Sequence, residues 1–210
     1  GKKAIVMGHG PTLIKTNKKY YKKHVKITCN DFHKINFFDD FIPDFWCAAN
    51  SYDALKEPFE ICMDKNIDVL KYEFLKLLNI ADEKEKLNLV SPWLWEIKML
   101  QLMLAKKYKR TKPYSHCNTV TNHMIAFALW LGCDSIDVTG FDMSYTKALE
   151  KTGYSHAGVD LPADISGFES SSQQSQMRAD LKYLCDIASN FGIVINNLSH
   201  EVNGLPKVLT

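Results

Sequence analysis

The sequence carries almost no net charge and lacks a long apolar run, and each absence excludes a class of protein. Its 210 residues contain 26 lysines and arginines against 24 aspartates and glutamates, a formal net charge of +2. So balanced a charge does not favour a nucleic-acid-binding protein. No apolar run is long enough to cross a membrane, and no signal-peptide pattern is present. We therefore expect a cytoplasmic protein, with peripheral membrane association left open.

Several catalytic and metal-binding motifs are also missing. The histidines and cysteines are not clustered at ligand spacings, so no metal site is predicted. A GxSxG elbow is absent, which disfavours a Ser-His-Asp hydrolase. The six cysteines form no CxxC pair, and their apolar surroundings predict buried free thiols in a reducing compartment. These cysteines are Cys29, Cys47, Cys62, Cys117, Cys133 and Cys185.

The opening KKAIVMGHGPTL is the most informative stretch. Its apolar run at 4–7 predicts a buried strand, which ends at Gly8, His9, Gly10, Pro11 and Thr12. A strand followed at once by a glycine-rich turn is how doubly wound sheets offer backbone N–H groups to phosphate. The segment is neither GxGxxG nor a Walker A motif. A plain β-turn remains the alternative.

Strand and helix patterns alternate along the chain. This order predicts one α/β domain over 1–210, with a Rossmann-like, mostly parallel sheet flanked by helices. The predicted strands are 4–7, 24–29, one within 41–49, 87–90, 135–139 and 193–195. The predicted helices are 53–65, 66–81, 93–108, 121–132 and 177–191. The irregular stretch 145–176 is predicted to be a mobile loop.

Polar residues follow the predicted strands where the strands end. Ligands bind at the carboxyl ends of parallel strands, so this convergence predicts a site. The amides of Asn30 and Asn50 both donate and accept hydrogen bonds, and these residues follow two of the strands, with Asp31 beside Asn30. Their alternative role is to close turns. The polar segments are 8–12, 30–31, 50, 140–142 and 196–199.

Three further places carry candidate chemistry. Thr121 and Asn122 open a predicted helix, where they either cap it or line an anion site. After the strand at 135–139 come Gly140, Phe141 and Asp142. A carboxylate there has three open roles: to bind a metal, to act as a base, or to hold a loop by accepting N–H bonds.

His156 lies in the long connection and is the candidate general base, with a surface histidine of no function as the alternative. Four other histidines are weaker candidates, and the one at 123 lies inside a predicted helix, where a structural role is favoured. They are His9, His116, His123 and His200.

Taken in order, these motifs resemble a known group of proteins. The GHGPTL segment resembles the GxGPSL opening of bacterial sialyltransferases of glycosyltransferase family 42, and the later CND and PDFWCAAN segments match their next two strand ends. The segment TVTNHMIAFALWLGCDSIDVTGFDMSY is similar to their TSG-to-GxD region. The pairing of GFDMSY with GYSHAG is also similar to hydroxymethylpterin diphosphokinase-like proteins and motility-associated flagellin glycosyltransferases.

The resemblance implies a metal-independent glycosyltransferase fold that binds a CMP-activated acidic sugar. It implies that Gly8, Gly10 and Thr12 contact the phosphate, and that Asn30 and Asn50 hold the donor. It further implies that Thr121 and Asn122 line the phosphate and sugar pocket, that Gly140 and Asp142 hold the cytidine, and that His156 is the catalytic histidine. This chain departs from the family by having Thr12 where serine is usual and Thr121-Asn122 where Ser-Gly is usual.

The leading hypothesis is therefore a sialyltransferase-like enzyme with His156 and Asp142 as catalytic residues. It would need no cofactor, and its partners would be a nucleotide-sugar donor and a glycan or glycolipid acceptor. One alternative is a Mg²⁺-dependent diphosphokinase that acts on a hydroxymethylpterin, with Asp142 and Asp31 on the metal. The other is a non-catalytic module that binds a nucleotide sugar.

Overall fold

Seven parallel strands form one sheet within the part of the chain that the computed structural model describes, which is residues 1–35, 41–47, 52–70, 89–90, 119–143 and 171–210. Their order across the sheet is β5-β4-β3-β2-β1-β6-β7, and each neighbouring pair is parallel. The strands are β1 (Lys2–Met7), β2 (Val25–Cys29), β3 (Phe45–Cys47), β4 (Asp68–Leu70), β5 (Leu89–Val90), β6 (Cys133–Thr139) and β7 (Val194–Asn197).

Helices connect and cover these strands. The α-helices are α1 (Tyr52–Asp64), α2 (Val120–Trp130), α3 (Ser171–Asn190) and α4 (His200–Asn203). Three short 3₁₀-helices follow β1 and β2, at Pro11–Lys15, Tyr20–Lys23 and Phe32–Lys34. The predicted α/β, Rossmann-like class with a parallel sheet flanked by helices is confirmed. None of the helices in the described ranges is long and apolar enough to cross a membrane.

Strand β1 lies inside the sheet, between β2 and β6, and is buried on both faces. Its side chains alternate, so that Ile5 and Met7 join a core that contains Trp46, while Ala4 and Val6 join the core beneath α2 and α3. Val6 lies beside Ile27 of β2 and Val138 of β6. A strand buried on both faces has an unbroken run of apolar residues, which is why the sequence predicted this strand.

The path of the chain creates a switch point between β1 and β6. From β1 the chain builds β2 to β5 on one side of the sheet, and then returns through α2 to build β6 and β7 on the other side. The loops that follow β1 and β6 therefore leave the sheet side by side at its carboxyl edge. In open parallel sheets, ligands bind in the crevice outside the carboxyl ends of strands at such a point.

Two sequence-based assignments are wrong. The helix predicted at 66–81 is contradicted at its start, because Asp68–Leu70 is β4, and 71–81 lies outside the described residues. A short segment such as IDVL, with three apolar residues in four, fits either a strand or a helix, and here pairing with β3 decided it. The loop predicted at 145–176 is wrong at 171–176, because α3 begins at Ser171. Its first six residues, SSQQSQ, are all polar and give no helical period.

Most other assignments are confirmed. Helix α2 ends at the predicted glycine, since Gly132 adopts a left-handed φ of 75° just beyond it. The predicted helix at 93–108 lies outside the described residues, as does 144–170 of the predicted loop. Five cysteines are buried free thiols, as predicted, and the sixth lies outside the described part. The five are Cys29, Cys47, Cys62, Cys133 and Cys185.

Candidate functional site

The loops after β1 and β6 touch at the carboxyl edge of the sheet. The N–H of Gly8 donates to the carbonyl of Thr139 at 2.8 Å, and the N–H of Gly10 donates to the carbonyl of Gly140 at 2.9 Å. These bonds extend the β1–β6 ladder beyond both strands. A Cβ at Gly8 would overlap the carbonyl of Gly140, and a Cβ at Gly140 would overlap that of Gly8. Glycine is required here because the two backbones are in contact.

Most backbone N–H groups of the predicted phosphate-binding loop, residues 8–12, thus donate to other groups of the protein. Besides Gly8 and Gly10, Thr12 donates its N–H to the Asp142 carboxylate at 3.1 Å, and Pro11 has no N–H to offer. The turn continues into the five-residue 3₁₀-helix Pro11–Lys15 and not into an α-helix. Its geometry therefore matches the plain turn better than a phosphate cradle built from these three N–H groups.

A buried polar cluster joins the two loops. The hydroxyl of Thr12 donates to Asp142 Oδ1 at 2.5 Å and accepts from the N–H of Gly140 at 3.1 Å. Ser199 places its Oγ 2.6 Å from Thr12 Oγ1 and accepts from the N–H of Phe141 at 3.0 Å. Thr12 and Asp142 are each 4% exposed, and Ser199 is fully buried.

Three roles were open for Asp142, and these hydrogen bonds show that it holds the loops after β1 and β6 together. Both carboxylate oxygens accept hydrogen bonds from Thr12, one from its backbone and one from its side chain. Burial raises the pKa of Asp142, while the hydrogen bonds from Thr12 and Ser199 lower it and offset part of the rise. A direct catalytic role for this carboxylate stays a prediction.

Two buried asparagines extend the cluster towards the C-terminus. Asn197 and Asn203 each donate an amide N–H to the other's Oδ1, both at 3.0 Å. Asn203 also donates to the carbonyl of Phe141 at 2.7 Å, and the N–H of Ser199 donates to Asn197 Oδ1 at 3.2 Å. Both polar groups of the Phe141 backbone are therefore bonded to the segment after β7. The polar stretch 196–199 pointed to this connection, but nothing local marked Asn203 as its partner.

The end of β2 forms a second group of the predicted residues. His9 is half-buried, and its Nε2 lies 2.7 Å from the carbonyl oxygen of Cys29, to which it donates. Asn30 adopts a left-handed φ of 41°, and its carbonyl accepts from the indole N–H of Trp46 at 3.0 Å. Asp31 Oδ1 lies 2.9 Å from Lys34 Nζ. Asn30 and Asp31 thus close a turn at the sheet edge, and both stay partly accessible.

The N-terminus of α2 forms a third group. Because α2 leads directly into β6 and packs along the sheet, its N-terminus lies at the same carboxyl edge. Thr119 caps the helix by accepting the N–H of Asn122 at 3.0 Å. Thr121 is 6% exposed, and Asn122 is fully buried, with its Nδ2 donating to the carbonyl of Met177 at 3.2 Å. The Oδ1 of Asn122 is buried, and no hydrogen-bond partner for it lies among the described residues.

The predicted site residues thus lie in three groups along one edge. The β1–β6 group is the tightest, and it contains Gly8, Gly10, Pro11, Thr12, Gly140, Phe141 and Asp142. Asn50, His116 and His156 lie outside the described residues. His123 lies within α2, and His200 begins α4, where its Nδ1 is 3.1 Å from the carbonyl of Asn197. Within the described ranges, no group of three or more histidine, cysteine or carboxylate side chains is arranged to hold a metal ion.

No protein-family model matches this sequence, and no curated protein matches it either. Among solved structures, the chain is similar to the sialyltransferase CstII from Campylobacter jejuni in complex with the substrate analogue CMP-3FNeuAc, at 15% identity and a TM-score of 0.37, over 96% of this chain and 82% of that one. For CstII with cytidine-5'-monophosphate the identity is 16% and the TM-score 0.41, over 96% and 81% of the two chains. Likenesses this distant carry no inference about what this chain does.

We expect the hydroxyl of Thr12 to be required for stability. The Thr12→Val variant keeps the shape of the side chain but removes one donor to a buried carboxylate, which should lower the free energy of unfolding by about 3 kcal/mol. The matched Thr12→Ser variant keeps the hydroxyl and loses one methyl group, at a cost of about 1 kcal/mol. Urea denaturation of the wild type and the two variants measures both losses of stability. Equal losses in Thr12→Val and Thr12→Ser would show that the hydrogen bond to Asp142 contributes little.

The raised pKa of Asp142 predicts a pH dependence of stability. Between the unfolded and the higher folded pKa the native state binds more protons, so this residue's contribution to stability falls as the pH rises through that window. Relative to Asp142→Asn, which does not titrate there, the wild type should gain stability as the pH falls from about 7 to about 4. Denaturant melts at several pH values test this. A relative loss on acidification would mean that the hydrogen bonds outweigh burial.

Proposed function

We propose that this chain is a glycosyltransferase that moves sialic acid or a related acidic sugar from a CMP-activated donor to a glycan acceptor. The observation that carries the proposal is the convergence of the predicted site residues at the carboxyl edge of a parallel sheet, around the switch point between β1 and β6. The ordered resemblance of the motifs to family 42 sialyltransferases supplies the substrate class.

The edge offers suitable contacts for a nucleotide monophosphate. The N-terminus of α2 points the N–H groups of Val120 and Thr121 and the positive end of its dipole towards this edge, which favours an anion. The N–H of Asn122 bonds instead to the Thr119 cap. The Oδ1 of Asn122 is a buried acceptor without a partner in the part of the chain that the structure describes, and such an atom costs free energy unless a hydrogen-bond donor reaches it. A hydroxyl group of the sugar or ribose of a nucleotide sugar could donate this hydrogen bond. The acceptor on Asn122 therefore supports placing the nucleotide sugar beside α2.

In the proposed reaction, the acceptor hydroxyl oxygen attacks the anomeric carbon as the bond from that carbon to the phosphate oxygen breaks. CMP leaves with the bonding electron pair, and His156 takes the hydroxyl proton. A nucleoside monophosphate is a fair leaving group, so the step requires no metal ion. Since Asp142 is buried and bonded to Thr12, we assign it the positioning of the β1 and β6 loops.

Binding of CMP should depend on the amide of Asn30. Asn30→Gly removes the amide while allowing the left-handed φ of 41°, so the fold should persist and affinity for CMP should fall about 5- to 10-fold. Asn66→Gly is the matched control, because Asn66 also has a positive φ of 52° but precedes β4 at the opposite edge of the sheet. Isothermal titration with CMP compares the variants, and equal loss in both would remove Asn30 from the site.

A thermal-shift assay with CMP and with ATP, each with and without Mg²⁺, separates the alternatives. A saturating ligand should stabilise the protein by about 3 kcal/mol in a thermal-shift assay. Selective stabilisation by CMP without Mg²⁺ supports the glycosyltransferase. Stabilisation only by ATP with Mg²⁺ would instead indicate the diphosphokinase. No stabilisation by any nucleotide would reject the nucleotide site. Binding of CMP without turnover on any acceptor would indicate a binding module.

Replacement of His156 by alanine should lower the turnover of a CMP-sugar by about 100-fold or more while leaving the affinity for CMP unchanged. This pattern is expected because a general base acts on the acceptor and not on the bound nucleotide. His24→Gln is the matched control, since His24 precedes β2 at the amino edge of the sheet, remote from the site. Steady-state kinetics with CMP-sialic acid measure both, and full turnover in His156→Ala would exclude it as the base.

A further inference from the structure

The small net charge of the chain conceals a strong asymmetry. Residues 1–30 contain eight lysines and no aspartate or glutamate, so this part carries a formal charge of +8. Since the whole chain carries +2, the other 180 residues carry a net charge of −6. Five of the eight lysines lie close together at 15–23, in the segment KTNKKYYKK. We call residues 14–23 the basic segment.

The basic segment is held firmly against one face of the sheet. Tyr21 is buried and donates its hydroxyl to Asp137 of β6 at 2.7 Å, and Thr16 places its hydroxyl 2.9 Å from that of Thr139. Asp137 and Thr139 are two residues apart on one strand, so they share a face. The residues between Thr16 and Tyr21 therefore cross this face, and they are attached at both ends.

The outer side of the segment exposes lysines together with apolar side chains. Lys19, Lys22 and Lys23 are exposed, and within the described residues none of their side chains forms an ion pair. Among them Tyr20 is 58% exposed, and Ile14, in the preceding 3₁₀-helix, is 54% exposed. Lys15 differs, because it forms an ion pair in which its Nζ lies 3.2 Å from Glu201 Oε2.

We propose that the basic segment is a docking surface for an anionic lipid bilayer. Each lysine close to such a surface adds favourable electrostatic energy, and exposed isoleucine and tyrosine side chains gain by entering the headgroup region. The negative charge on the rest of the chain is repelled by the same bilayer, so the two signs together orient the protein with this face down.

The composition of the surface favours a bilayer over a nucleic acid. The segment contains no arginine, the residue that binds phosphates and bases through two parallel hydrogen bonds. An exposed isoleucine contributes little to contact with a phosphate backbone, but it contributes directly when it enters an apolar phase. This inference does not depend on the proposed enzymatic activity, because the segment shares none of the residues assigned to the donor.

Vesicle co-sedimentation tests the proposal. The full chain should bind vesicles of equimolar phosphatidylserine and phosphatidylcholine, should not bind pure phosphatidylcholine, and should dissociate when salt is raised from about 0.05 M to about 0.5 M. The triple variant Lys19→Gln, Lys22→Gln, Lys23→Gln should lose about 100-fold in affinity. The control triple variant Lys65→Gln, Lys182→Gln, Lys207→Gln removes the same charge elsewhere, and should stay within about two-fold. Circular dichroism verifies that both remain folded.

A single aliphatic variant separates the bilayer from nucleic acid. Ile14→Ser should weaken binding to the anionic vesicles several-fold and leave binding to a single-stranded oligonucleotide unchanged. The proposal is overturned if the wild type does not bind anionic vesicles, or if the two triple variants lose affinity for them equally. It is also overturned if the oligonucleotide binds more tightly than the vesicles at the same salt concentration.

Discussion

The hydrogen bonds between Thr12 and Asp142 are the interaction on which the shape of the sheet edge depends. The two residues are 130 positions apart in the chain, and they join the loop after β1 to the loop after β6. A buried carboxylate is costly unless its oxygens are bonded, so this contact has to form if both loops are to stay inside. Gly8 and Gly140 make the approach possible, because any larger side chain at either position would separate the two backbones.

The same strand supports both the candidate site and the basic segment. On one face of β6, Ile136 and Val138 join the core beneath α2 and α3. On the other face, Asp137 and Thr139 bond to Tyr21 and Thr16. Polar residues on one face of an interior strand such as β6 are unusual, since both faces of a parallel sheet are normally apolar. Here those polar residues hold a charged segment in place, so that its lysines point to solvent from a fixed backbone.

The sequence predicted elements well where apolar runs are bounded by glycine or asparagine, and poorly where the pattern was short or absent. Strand β1 is such a bounded run, and Gly132 ends α2 as expected. The strand at Asp68–Leu70 was missed because the three apolar residues of 67–70 fit both the helical and the strand period, and only the pairing with β3 decides between them. The polar start of α3 was missed because it contains no apolar residue to mark a helical face.

By itself, the sequence determined the class of the fold and the edge at which polar residues gather, because apolar periodicity and turn residues are local properties that report burial directly. Only the tertiary structure decided which groups those residues meet. The N–H groups predicted for phosphate at Gly8, Gly10 and Thr12 bond to β6, its following loop and Asp142. Partners so distant along the chain are brought together by the crossovers of the sheet, and no local pattern records which strand a loop will lie beside.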